Sequence, residues 1–141
     1  MRLRVLLLGA IVMMLASAGI AGLAYRVSAL HSRLRHDVIL VYVGADDCPP
    51  CRRWQLESRP PFRASAEFAA VTYREVKSPT LLDLRGDQYW PDDLRAYRAQ
   101  LGPDAGVPLW LIISDNELIE RSAGIRQWQS AVLPRLRSLL R

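Results

Sequence analysis

The sequence predicts an α/β domain in which helices flank a mixed central sheet, with the elements in the order β-α-β-α-β-β-α. Two apolar runs, residues 38–43 and 107–113, have the length and composition of buried strands. Strand-like and helix-like segments alternate between them, and a turn sequence after the second run introduces a closing hairpin. This alternation is typical of a sheet covered by helices, and residues 38–141 are long enough for one such domain.

The first half of the domain is predicted to run strand, helix, strand. Residues 38–43 (VILVYV) form the first strand, and a helix begins near Cys48. The prolines at 60 and 61 interrupt or kink this helix, and residues 62–68 continue it after the break. Residues 71–76 have a rough alternating pattern that indicates the second strand.

The middle of the chain has a weaker pattern. Residues 78–90 contain a possible turn at 85–87 and no clear periodicity. A helix is predicted over residues 91–101, since proline stands at its start, acidic residues follow in the first turn, and apolar residues recur along one face. Residues 102–106, which include two glycines and a proline, indicate a loop.

The last third is predicted to hold two strands and a helix. Residues 107–113 form the most strand-like stretch, and residues 114–117 turn the chain into a strand at 118–121, as in a hairpin. A final helix follows Gly124, with apolar residues spaced four apart. Pro134 lies inside this helix and should bend it.

The two cysteines of the chain are Cys48 and Cys51, and they form a C-x-x-C motif directly after the first predicted strand. At a strand-to-helix turn the two sulfurs are close enough for a small disulfide, and the first can use the positive end of the helix. Such a short loop stabilises a fold poorly, because the entropy removed from the unfolded chain grows with loop length. The spacing therefore favours redox chemistry, with Cys48 as nucleophile and Cys51 as resolving thiol.

Four residues around the cysteines are candidate modulators. Asp46 and Asp47 are each able to cap the helix, although a negative charge nearby disfavours a thiolate. Pro49 and Pro50 fit a first helical turn, stiffen it, and remove two N–H donors that could reach the sulfur. Capping is the main role expected for the two aspartates.

The N-terminal segment predicts export. A basic start is followed by 20 residues without a charge, at positions 5–24, which is enough to cross a bilayer as a helix. We expect residues 1–27 to be a single membrane anchor and residues 28–37 a polar tether. The alternative is a signal removed near Ala16-Ser17-Ala18, which would leave a secreted or periplasmic domain. Both interpretations place residues 38–141 outside the cytoplasmic membrane.

The charge of the chain gives no reason to expect nucleic acid as a partner. The formal net charge is +5, but three of the 19 basic residues belong to the N-terminal segment, which leaves 16 against 14 acidic residues. No set of about four ligands for a structural zinc ion stands near the cysteines, and no other metal site or cofactor is expected.

Residues 38–141 resemble the thioredoxin-like superfamily. The resemblance rests on Cys48-Pro49-Pro50-Cys51 after the first strand, Val107-Pro108 opening the third strand, and Gly124 after the hairpin. It implies a thioredoxin-like fold and a cis peptide bond before Pro108. It also implies that Val107 and Pro108 lie beside the cysteines and shape the groove that receives a partner.

The chain departs from that family in three places. Asp47 stands where many thioredoxins have tryptophan, Tyr42 occupies the position of a buried acid, and residues 78–90 lengthen the connection to Pro108. These differences indicate a specialised, exported, membrane-tethered relative, similar in layout to anchored proteins of cytochrome maturation and of thiol homeostasis in the cell envelope.

The function predicted from the cysteines and the resemblance is thiol-disulfide oxidoreductase, most consistently a specialised reductase of protein disulfides. Its partners would be protein thiols and disulfides, together with a membrane electron donor or an upstream oxidant. Two alternatives stay open from the sequence. One is a redox-silent binding scaffold, and the other is a module that binds or delivers Cu(I) through Cys48 and Cys51.

Overall fold

The sheet at the centre of the molecule has four strands in the order β2-β1-β3-β4. The computed structural model describes residues 37–102 and 105–141. The strands are β1 (Val38–Ala45), β2 (Thr72–Ser78), β3 (Leu109–Ser114) and β4 (Glu117–Ala123). β1 is parallel to β2 and antiparallel to β3, and β3 and β4 form an antiparallel hairpin. The mixed sheet and the order of elements predicted from the sequence are confirmed.

Short helices connect the strands. Between β1 and β2 lie α1 (Pro49–Glu57), α2 (Arg59–Arg63) and α3 (Ala66–Ala69). Between β2 and β3 lie two 3₁₀ turns (Asp87–Tyr89 and Asp92–Leu94) and α4 (Arg95–Ala99). After β4 the chain forms a π-helical turn (Trp128–Val132) that runs into α5 (Leu133–Leu139).

Both faces of the central strands are covered, which explains why β1 and β3 are apolar throughout. Leu40 and Tyr42 point into a core cluster that contains both cysteines and three tryptophans. Val41 and Val43 point into a second cluster on the opposite face. Successive side chains of a strand alternate between faces, so one short apolar run supplies both cores.

Prolines set the helix boundaries in a way that differs from the prediction. α1 ends at Glu57, and the prolines at 60 and 61 lie in the first turn of α2, where a missing N–H removes no helical hydrogen bond. Residues 62–68 do not continue one helix, because Ser65 starts α3 by accepting a hydrogen bond from the Phe68 N–H at 3.2 Å. Pro134 likewise lies at the start of α5, directly after the π-helical turn, so the irregularity expected there is present.

The predicted helix over residues 91–101 is also broken into pieces. Only α4 within it is α-helical, and a 3₁₀ turn precedes it. The hairpin after β3 agrees with the prediction, since Asp115 and Asn116 both have positive φ, as a tight two-residue turn requires.

The predicted membrane segment at residues 1–27 lies outside the described residues, as does the tether up to residue 36. Within residues 37–102 and 105–141, no helix is long and apolar enough to cross a membrane.

Candidate active site

The two cysteines form a disulfide where β1 passes into α1. Cys48 is the N-cap residue of α1, and its Cα lies 5.2 Å from that of Cys51. The Cys51 N–H donates a hydrogen bond to Cys48 Sγ at 3.2 Å. The first turn of the helix therefore directs an otherwise unpaired N–H group, and the positive end of the helix dipole, at the first sulfur.

This cap corrects one expectation from the sequence. Neither Asp46 nor Asp47 caps α1, because the sulfur of Cys48 occupies the capping position. Both prolines of the motif are exposed and lie at the first positions of the helix, where proline was predicted to fit.

The disulfide lies directly beneath the surface. Cys48 is 2% exposed and Cys51 is fully buried, so little of the first sulfur is accessible to solvent in the oxidised state. Its neighbours Asp47 and Pro49 are exposed. Both cysteines belong to the core cluster that includes Trp54, which α1 places beneath them. A partner that reaches Cys48 must therefore contact the exposed residues around it.

Asp46 binds a residue at the end of β2, and Asp47 binds the segment that follows β2. The Asp46 carboxylate forms an ion pair with Lys77 (Nζ to Oδ1, 2.7 Å). Asp47 Oδ1 accepts a hydrogen bond from the Leu81 N–H at 2.9 Å, and the Asp47 N–H donates to the Pro79 carbonyl at 3.2 Å. The negative charges expected to oppose a Cys48 thiolate are thus partly compensated, one by a cation and one by a backbone dipole.

Val107 and Pro108 lie at the same end of the sheet as the cysteines. The peptide bond between them is cis, as the resemblance implies. Leu109 pairs with Val43 near the end of β1, which places Pro108 close to the motif. Val107 packs against the core cluster that contains both cysteines.

Gly124 binds the backbone of Pro108 at this end of the sheet. Its φ of +94° lies in the left-handed region that favours glycine, and its N–H donates to the Pro108 carbonyl at 2.8 Å. The three sequence features that carried the resemblance therefore meet at one end of the sheet.

Tyr42, at the position where the resemblance would place a buried acid, has a neutral, hydrogen-bonded hydroxyl. Its ring is fully buried and stacks on Trp54, with the ring centroids 4.5 Å apart. Its hydroxyl accepts a hydrogen bond from Gln55 Nε2 at 3.0 Å. Burial is the main cause that raises the pKa of Tyr42 above its usual value, so the hydroxyl stays protonated at neutral pH.

Sequence reasoning missed three participants in the site: Gln55, Lys77 and Leu81. Lys77 is the only lysine of the chain, which singles it out but does not reveal its partner. Leu81 contacts Asp47 from 34 positions away, and through a backbone N–H that every residue but proline possesses. Such a contact leaves no local signal in a sequence.

The described residues have a thioredoxin-like fold: a four-stranded mixed sheet flanked by helices, with a C-x-x-C disulfide at the start of the helix after β1. The comparison with solved structures agrees. The periplasmic thioredoxin SoxS from Paracoccus pantotrophus, in its reduced form, is similar with a TM-score of 0.51 and 18% identity, over 74% of this chain and 96% of that one.

Two further thioredoxins are similar to a lesser degree. Oxidised thioredoxin from Plasmodium falciparum has a TM-score of 0.49 and 14% identity, over 81% of this chain and 92% of that one. Trichomonas vaginalis thioredoxin has a TM-score of 0.48 and 20% identity, over 79% and 88%. No family model matches the sequence, and no curated protein matches it either. The similarity to SoxS, at 18% identity, shows the fold alone.

Proposed function

We propose that this protein is a thiol-disulfide oxidoreductase that acts outside the cytoplasm and reduces disulfides in partner proteins through Cys48 and Cys51. One observation carries the proposal. The cysteine pair is closed as a disulfide at the N-terminus of α1, with the Cys51 N–H directed at Cys48 Sγ. This geometry favours the negative charge of a thiolate at Cys48 once the pair is reduced.

The reaction begins with the reduced pair. The Cys48 thiolate attacks one sulfur of a partner disulfide, a Cys48–partner bond forms, and the second partner sulfur leaves as a thiolate that takes up a proton. Cys51 then loses its proton and attacks Cys48 Sγ. The mixed disulfide breaks, and the partner leaves with two thiols.

The chain ends this cycle as the Cys48–Cys51 disulfide present in the structure. It has given two electrons to the partner, so a dithiol donor must return two electrons before the next cycle. We propose a membrane protein as that donor, because an exported reductase has no direct access to cytoplasmic reductants. The location rests on the charge-free stretch at residues 5–24.

A trapping experiment tests the redox function. The Cys51→Ser chain keeps the attacking thiol and lacks the resolving one, so it should accumulate mixed disulfides with its partners. Cys48→Ser, which keeps the more deeply buried thiol, is the matched control and should trap nothing. A Cys51→Ser chain that forms no adducts would support a redox-silent scaffold instead.

The reduction potential of the full-length chain tests the direction of electron flow. Equilibration against dithiothreitol or glutathione should give a value near that of thioredoxin, roughly −270 mV, for a reductase. A value near roughly −120 mV would identify an oxidant of folding proteins instead. Labelling of the reduced cysteines in intact cells with a membrane-impermeant maleimide tests the location. Labelling only after lysis would refute export.

A further inference from the structure

An exposed apolar loop lies beside the cysteine pair. Among the described residues, three large apolar side chains are markedly exposed: Leu56 at 78%, Leu81 at 45% and Leu82 at 95%. Leu81 and Leu82 are consecutive and belong to the segment after β2 that lengthens the chain before Pro108. Single exposed apolar residues are common on protein surfaces, whereas contiguous exposed apolar residues mark interaction sites. Two adjacent exposed leucines therefore indicate a contact surface.

Hydrogen bonds hold this loop against the residue that precedes Cys48. Asp47 binds it twice, through the Leu81 N–H at 2.9 Å and the Pro79 carbonyl at 3.2 Å. Within the loop, Thr80 Oγ1 donates to Asp83 Oδ2 at 2.7 Å, and the Thr80 carbonyl accepts from Ser78 Oγ at 2.6 Å. These hydrogen bonds hold the backbone that carries the two leucines in one conformation. Binding a partner therefore costs less conformational entropy, because the loop is already ordered.

We propose that Leu81 and Leu82 form a docking surface for the polypeptide that flanks the partner's disulfide, and that they select partners with an apolar residue next to the reacting cysteine. The inference rests on the proposed function. A partner sulfur bonded to Cys48 brings its own chain over the neighbours of Cys48, and Asp47 joins the leucines to that neighbourhood. Because Cys48 itself is only 2% exposed, the residues around it supply most of the surface that a partner contacts.

Charge argues against a lipid surface as the occupant. The carboxylates of Asp47 and Asp83 flank the two leucines, and both residues are exposed. Inserting the leucines into a bilayer would draw these carboxylates toward an apolar phase and toward anionic headgroups, both of which are unfavourable. A polypeptide leaves the carboxylates in water while it covers the leucines.

The test compares two synthetic peptides, each closed by one internal disulfide, with either leucine or serine beside the cysteines. The pre-reduced full-length chain in detergent is mixed with each peptide, and tryptophan fluorescence follows its oxidation in a stopped-flow instrument. Hydroxyethyl disulfide serves as a small control substrate, because it has no flanking polypeptide to contact Leu81 and Leu82 while it reacts at Cys48. No electron donor is needed, because one oxidation of the chain reduces one disulfide.

We expect the Leu82→Ser chain to react about tenfold more slowly with the leucine peptide, with unchanged rates for the serine peptide and the small control substrate. Leu81→Ser should give a smaller loss, since this side chain is about half as exposed. Leu56→Ser is the matched control, an exposed leucine at the far end of α1, and should react like the unmodified chain.

Equal rates for Leu82→Ser and the unmodified chain with the leucine peptide would overturn the proposal, as would an equal loss in Leu56→Ser. A Leu82→Ser effect seen only after reconstitution into phosphatidylglycerol vesicles, and equal for both peptides, would indicate lipid contact and overturn it as well. Failure of the unmodified chain to react even with hydroxyethyl disulfide would refute the redox function itself, which separates the two failures.

Discussion

Replacing Gly44 by alanine should destabilise the domain, although alanine usually stabilises a strand relative to glycine. Gly44 lies in β1, two residues after Tyr42 and on the same face of the sheet. A Cβ at this position would lie 2.3 Å from the Tyr42 hydroxyl oxygen and 2.7 Å from Tyr42 Cζ. Carbon atoms in contact are about 3.5 Å apart, so the ring would have to move by about 0.8 Å.

The structure leaves the ring no room for that movement. Tyr42 is fully buried, stacks on Trp54 at 4.5 Å and is held by Gln55 at its hydroxyl. Overpacking of a core costs about 1–3 kcal/mol, and loss of the Gln55 hydrogen bond would add about 1 kcal/mol. The usual advantage of alanine over glycine in a strand offsets about 0.5–1 kcal/mol. The net loss should be about 1–3.5 kcal/mol.

Urea unfolding of single and double variants measures this effect. Tyr42→Phe removes the atom at 2.3 Å and leaves the one at 2.7 Å, so it should relieve part of the strain in Gly44→Ala. The double-mutant cycle should therefore show a coupling energy of about 0.5–3 kcal/mol. Gly102→Ala is the matched control, because a Cβ there meets no atom within 4 Å, and its stability should change by less than about 0.5 kcal/mol.

A Gly44→Ala chain that is as stable as the unmodified one, or more stable, would refute the reasoning. It would mean that the Tyr42 ring adopts another position at no cost, and that its stacking on Trp54 and bond to Gln55 are not fixed features of the core.

Three further predictions concern the core and its titrating groups. Trp128→Ala should lower the free energy of unfolding in urea by about 3–5 kcal/mol, because the buried ring packs edge-on against Trp54 and Phe62 and at a tilt against Trp110, with centroids 5.0–5.4 Å apart. Trp128→Phe should lose clearly less stability, and equal losses would contradict this packing. Burial raises the pKa of Tyr42 and Tyr73, so the folded state holds their protons more tightly, and stability should fall as the pH rises above ~10, by at most about 1.4 kcal/mol per pH unit for each tyrosine. Unfolding in urea measures this loss, and a stability that stays flat to pH 11 would be the contrary result. A hydrogen bond from Arg137 lowers the pKa of Glu67, so this pair stabilises the fold above pH ~4 and loses its effect as the pH falls. Arg137→Gln should weaken that acid dependence of stability, and an NMR titration should show the Glu67 pKa returned toward its usual value.

The features that the sequence predicted correctly are those with a local cause. β1 and β3 are continuous apolar runs, and the C-x-x-C motif follows β1 after only two residues, Asp46 and Asp47. The hairpin turn depends on Asp115 and Asn116, residue types that tolerate positive φ. Each of these signals is contained in fewer than ten consecutive residues.

The error in the cap of α1 arose because several side chains were suited to one role. Asp46 and Asp47 are both good N-caps, but α1 is capped by Cys48, and the aspartates bind Lys77 and the Leu81 N–H instead. Which residue caps the helix depends on the position of a segment some 30 residues later in the chain, and local helix propensity carries no information about that segment.

From its own sequence this protein therefore revealed its strands, its cysteine pair and the fold class that they imply, because apolar periodicity and motif spacing act over short distances. Its tertiary structure was needed to show what surrounds the pair. The Tyr42 hydroxyl binds Gln55 where α1 packs against β1, and the Pro108 carbonyl binds the Gly124 N–H across the β3–β4 hairpin. Asp47 binds the Leu81 N–H only once β1 and β2 have paired. Hydrogen bonds act between groups that are close in space, and the folding of the sheet brings these groups together.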